Sequence, residues 1–237
     1  MRTSLCWVLL LSIAACKGST GSTGGEAKTE DTPLTRLMHE HSAKGSGMRD
    51  AVINAELPEV REYASWMLQH MDDPALPPEW EEHKRSMHDA AERAAFTVDV
   101  DVAARAVADV AAECGKCHDQ LKEGPTIAVG EAPSDDPTLD TRMKRHHWAA
   151  ERLWDGLVGP SNEAWAKGAE VLASAPMTVE KIAFAGKEGD VERLMDEVHA
   201  LAEQGKSTKG EEARAKLFGE FLTRCGKCHE LFGLGKR

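Results

Sequence analysis

Cys114, Cys117 and His118 spell CGKCH, and Cys225, Cys228 and His229 spell it again 111 positions later in a chain of 237 residues. Cysteines at i and i+3 of a helix lie on one face about a turn apart, so both sulfurs can be joined to the two vinyl groups of one haem. The adjacent histidine then reaches the iron. C-x-x-C-H is the c-type haem attachment sequence, and its double occurrence predicts two covalently held haems with His118 and His229 as iron ligands. A thioredoxin-like site also uses C-x-x-C, but it follows a strand in a βαβ setting, and no strand pattern is visible in this chain. One zinc ion on four cysteines fits poorly with 106 intervening residues and a histidine after each pair.

The other cysteines are accounted for by export. Residues 1–15 hold one arginine and a short apolar run, too short to span a bilayer, and read as a cleaved signal that takes Cys6 with it. Ile13, Ala14, Ala15 and Cys16 resemble the bacterial lipobox, which implies that Cys16 becomes a lipid-bearing N-terminus; an ordinary signal peptide cut nearby is the alternative. Residues 16–33, rich in Gly, Ser, Thr and charge, form a flexible tether. The expectation is an exported bacterial lipoprotein, facing the periplasm or anchored at the outer membrane. No cysteine remains for a structural disulfide, although that compartment permits one.

The elements around each motif are helices. Val107, Val110, Cys114, Cys117 and Leu121 recur at helical spacing, and Phe218, Phe221, Cys225, Cys228 and Phe232 repeat them 111 positions on. Upstream, TRLMHEH (35–41) aligns with TRMKRHH (141–147), LPEVREYASWML with SNEAWAKGAEVL, and the stretch from Trp80 to Ala91 with Val191 to Ala202. Pro77 and Pro78 mark the start of one helix. Thr208 with Glu211 predicts a capping box at the start of the last. Gly45 and Gly47 fall inside the first helix and predict a kink or break there. The chain reads as all-α: a first four-helix unit over 34–123, a Pro-, Gly- and acid-rich linker over 124–137, and a second unit over 138–237.

Four helices of this length with CxxCH on the last resemble the cytochrome c′ family, including its low-spin members. The resemblance covers nearly everything from Leu34 to Phe232, but its specific motif is CxxCH alone. It implies two tandem four-helix bundles, each attaching haem through its last helix and covering the far face of the iron with a side chain from its first.

The chain departs from that family at this covering position. His41 and His147 occupy matched places on the apolar seams of the two first helices and are the leading distal ligands. Their rivals are His88 and His199, matched but beside their seam, where they suit the haem edge. His39 and His146 replace the favoured pair if the register slips by one. Met38 aligns with Lys144 and Met143 with Leu37, so no methionine is shared by the two halves. His70 and His83 are unmatched and read as ordinary polar residues.

The net charge of −11 falls mainly in the first half and linker. Such a surface excludes nucleic acid and suits a basic redox protein, or serves solubility alone. The expected function is a dihaem carrier passing single electrons between extracytoplasmic partners. Small-gas binding at five-coordinate iron is the alternative, and a peroxidase or redox-enzyme subunit a weaker one, since no acid–base pair is evident. No catalytic residue is assigned, and a homodimer is compatible with the helical surface.

Overall fold

Thr32 caps the first helix: its hydroxyl accepts from the Thr35 N–H at 3.1 Å, and Pro33 fills the first helical position. Thr138 does the same for Thr141 at the start of the matching helix. The computed structural model describes residues 32–174 and 186–233. Residues 1–15 and Cys16, with the export and lipid expectations that rest on them, lie outside the described residues.

The elements are α1 (Pro33–Ile53), α2 (Leu57–Gln69), a single 3₁₀ turn (Pro78–Trp80), α3 (Glu81–Phe96), α4 (Val100–Leu121), α5 (Leu139–Val158), α6 (Asn162–Ser174), α7 (Glu188–Ser207) and α8 (Glu211–Leu231). The fold is all-α, with no strand among the described residues. None of these helices is long and apolar enough to cross a membrane. In sequence order α1 packs on α2, α2 on α3, α3 on α4 and α4 back on α1; α5 to α8 repeat that ring.

The most extensive pairing joins the rings, α4 against α8. Val100 and Asp101 at the start of α4 meet Gly226 and Lys227 near the end of α8, while Gly115 near the end of α4 meets Glu211 at the start of α8. The two helices are therefore antiparallel. Small residues permit their close approach: Ala104 and Ala108 are buried, and a Cβ on Gly219 would lie 3.3 Å from the Arg105 Cα. The core runs without a break from one ring to the other, through Met48, Met67, Val107, Trp165, Phe218 and Phe221. Fully burying a large apolar side chain stabilises by about 1.5–3 kcal/mol.

Two local expectations fail. Helix α1 runs unbroken through Gly45 and Gly47, because both glycines make room for rings: Trp154 of α5 lies 3.0 Å from where a Gly45 Cβ would sit, and Tyr63 of α2 lies 2.7 Å from that of Gly47. Packing outweighs the roughly 1 kcal/mol propensity cost per glycine. The Thr208 capping box does not form. Thr208 closes α7 instead, its hydroxyl donating to the Gln204 carbonyl at 2.8 Å, and Gly210 at φ +84° starts α8.

Residues 123–137 lie along α5 in the reverse direction. Ile127 sits over Gly159, the Val129 and Pro133 carbonyls accept from Arg152 and Arg145, and Asp135 pairs with Arg142 at 2.6 Å. Three arginines of α5, Arg142, Arg145 and Arg152, thus hold the connector down.

Candidate functional site

Both CGKCH stretches fall in the last two turns of their helices, 114–118 on α4 and 225–229 on α8. Because α4 and α8 are antiparallel, the motifs lie toward opposite ends of the pair. Gly226 is level with Val100, and Gly115 is 15 residues further along α4, so about 22 Å of helix axis separates the two levels.

All four cysteines are free. Burial pushes the Cys114 thiol up to about 12, with Cys117 and then Glu113 adding to it; burial likewise raises Cys117, Cys225 and Cys228, the last to about 11. Protonated thiols of this kind are the opposite of the activated thiolate of a C-x-x-C redox site. Among the described residues no three of His, Cys, Asp and Glu converge to hold an ion, so the cysteines do not form a four-sulfur centre.

The glycine inside each motif has a steric role. A Cβ on Gly115 would collide with the Leu157 carbonyl, and one on Gly226 would sit 2.7 Å from the Val52 carbonyl and from Val100 Cγ2. The last helix of each half therefore presses its motif against the end of the other half's first helix.

There His118 makes a defined bond. Its Nδ1 lies 2.7 Å from the carbonyl oxygen of Val158, the last residue of α5. A carbonyl only accepts, so Nδ1 carries the proton and Nε2 keeps its lone pair for a metal. Beyond α4, Lys122 adopts the left-handed conformation at φ +56°, and Gly124 comes so close to the His118 ring that a Cβ would be 2.9 Å away. His229 occupies the matching place beside the Ile53 carbonyl, but its buried Nδ1 does not complete the bond that His118 makes. Burial lowers its pKa, and the Ile53 carbonyl acts in the opposite direction.

The second motif opens into a cavity of about 770 Å³. Cys225, Cys228 and His229 line it from α8, Met143, His146 and His147 from α5, and Leu194 and Val198 from α7; Ile53 and Pro133 close its edge, and its charged groups are mixed, Lys144 and Arg224 beside Asp50, Asp140 and Glu151, with Lys144 paired to Asp140 and Arg224 to Glu197. Its size is that of a pocket for a large organic ligand, and its lining is mostly apolar. Residues of α5 and the second motif thus border one cavity.

The candidate distal histidines differ in their surroundings. His41 is mostly buried, edge-on to Trp66 with ring centroids 5.4 Å apart; burial, then His70, pulls its pKa down to about 4 against a smaller opposing effect of Asp73. Its Nε2 is buried without a hydrogen-bond partner. His147 is half-exposed, with Nε2 3.4 Å from Glu151 Oε1. His88 is exposed beside Asp89, whereas His199 is half-buried with an unpartnered Nδ1. His39 is exposed, and Met38 and His83 half-buried.

Sequence reasoning missed the cluster around His41. Trp66 stacks on His70 at 3.9 Å, and the His70 Nδ1–H donates to the Trp66 carbonyl at 2.7 Å. The spacing of Trp66 and His70, one helical turn, was the available signal. The backbone acceptors of Val158 and Ile53 had none.

The residues fit haem on three observations: paired thiols and a histidine facing one cavity, an imidazole held with its ligating nitrogen free, and the orphaned Nε2 of buried His41. Comparison with protein-family models, curated proteins and solved structures found no match.

Proposed function

We propose that the chain is a dihaem c-type cytochrome that carries single electrons, built as two tandem four-helix bundles of cytochrome c′ type. The observation that carries this reading is His118: a CxxCH histidine whose Nδ1–H is donated to a helix-end carbonyl at 2.7 Å, the outer hydrogen bond that fixes tautomer and ring for metal ligation. Bound haem supplies one-electron chemistry at iron. Cys114 with Cys117, and Cys225 with Cys228, would attach the two groups, and His118 and His229 would bind their irons. The walls around the second motif are mostly apolar, and Lys144 and Arg224, paired with Asp140 and Glu197, are the cations that haem carboxylates would meet there. His41 and His147 are the distal ligands of this reading, with His88 and His199 as rivals.

The export stretch and Cys16 support a carrier held outside the cytoplasm on a lipid anchor, where two or more acyl chains hold stably. Its acidic first half suits a basic redox protein as partner.

The test is the mature protein made in a host that matures c-type cytochromes. Two covalently held haems per chain by pyridine haemochrome, with low-spin spectra indifferent to carbon monoxide, are expected. Absence of covalent haem ends the reading. Carbon monoxide binding at the second site favours gas binding there, a reading supported by the Nε2 of His147 facing Glu151.

A further inference from the structure

The two halves meet through a reciprocal pair of contacts. His118 of α4 donates to the carbonyl that ends α5, and His229 of α8 lies beside the carbonyl that ends α1. Gly115 and Gly226 repeat the exchange one turn earlier, against Leu157 and Val52. Each acceptor is 105 positions from its counterpart, so the crossing is a symmetric property of the fold and not an accident of one loop.

We infer that the two halves are coupled at the first haem site: His118, the near-side histidine of that iron, takes its orientation and donor strength from the end of the second half's first helix, whereas His229 faces the matching carbonyl without completing the bond. This rests on the haem reading above. The last carbonyls of a helix have no partner in the next turn and carry the negative end of its dipole. An imidazole that donates Nδ1–H to such a carbonyl is a stronger donor through Nε2. A stronger donor favours the oxidised iron and lowers the potential. Val158 is a positioning residue: it acts on the metal through the histidine, by a backbone atom that substitution of its own side chain leaves in place.

Gly156 gives access to the Val158 carbonyl from the far side. It lies in the last turn of α5 and packs on α6, where an added Cβ would stand 2.7 Å from Trp165 Cβ and 2.8 Å from its N. Gly156→Ala displaces the end of α5 without touching α4 or the first motif. In the full-length holoprotein, the midpoint potential of the first-half haem is expected to rise by more than that of the second. A folded variant with two haems and an unmoved first-half potential overturns the inference.

Should the variant fail to fold, wild-type protein decides. In ¹⁵N-histidine-labelled, reduced holoprotein the His118 Nδ1–H should exchange slowly and show cross-relaxation to Gly159 protons. Rapid exchange, or contacts confined to residues up to 124, rejects the idea. The haemochrome measured on the same sample separates this outcome from failure of the haem reading, which shows as fewer than two covalent haems per chain.

Discussion

The His41 ring meets the Trp66 ring edge-on, with centroids 5.4 Å apart and planes at 78°. This contact holds a neutral imidazole inside the first ring of helices with its Nε2 unpartnered. A buried nitrogen left alone costs about 1–3 kcal/mol, a cost removed by a ligand that accepts its lone pair.

His41→Ala should therefore turn the first haem from low-spin to high-spin and open it to carbon monoxide. Absorption and EPR spectra read the change. If neither this variant nor His147→Ala alters the spectra, both histidines drop out and His88 and His199 become the ligands to examine.

Attachment should follow the cysteines one motif at a time. Replacing Cys114 and Cys117 by Ser is expected to leave one covalent haem per chain, held by Cys225 and Cys228, and the converse pair leaves the other. Intact mass after acid denaturation counts them.

The helical fold was legible because its signals are local and periodic. Thr32 and Thr138 cap matched helices, and the seam from Val107 to Leu121 marks α4 by spacing alone. The placement of each cysteine pair was legible for the same reason: cysteines three apart share one face of a helix. What sequence left hidden depends on long-range packing. Trp154 fills the space beside Gly45, so a pair of residues that reads as a helix break is a contact surface. Val158 acts through a carbonyl, a group every residue owns. Thr208 fails as a cap because Gly210, two residues later, turns the chain with a positive φ that starts α8 afresh.

The first-half haem should have the lower midpoint potential, since the acidic charge is concentrated in that half and favours the more positive oxidised iron. Potentiometric titration of the two single-haem variants measures each separately. Preferential reduction of the first-half haem contradicts the charge account. Raising the ionic strength should narrow the gap, because exposed charges are screened beyond about 8–10 Å at physiological salt.

Gly226→Ala should cost about 1–3 kcal/mol by overpacking, because the new methyl group meets a backbone carbonyl and the Val100 side chain at 2.7 Å. Gly189→Ala, where nothing lies within 4 Å, should leave stability unchanged or slightly raised. Denaturant midpoints of the two variants, compared with the parent, give the difference.

Loss of a connector strap should be felt locally. Arg145 is buried and donates to the Pro133 carbonyl, so Arg145→Ala removes one of three ties along α5. Hydrogen exchange is expected to accelerate in residues 127–135 and to stay slow in α4 and α8. Uniform acceleration would show the strap to be a determinant of global stability instead.

The antiparallel union of α4 with α8 has the form of an isologous dimer interface. Gly115 meets Glu211 and Leu157, while its copy Gly226 meets Val100 and Val52, each contact returned with the roles exchanged. Two identical subunits joined this way would separate on dilution. Joined in one chain, the second copy is always present at the high effective concentration set by a short connector. The unfolding temperature is thereby freed from protein concentration.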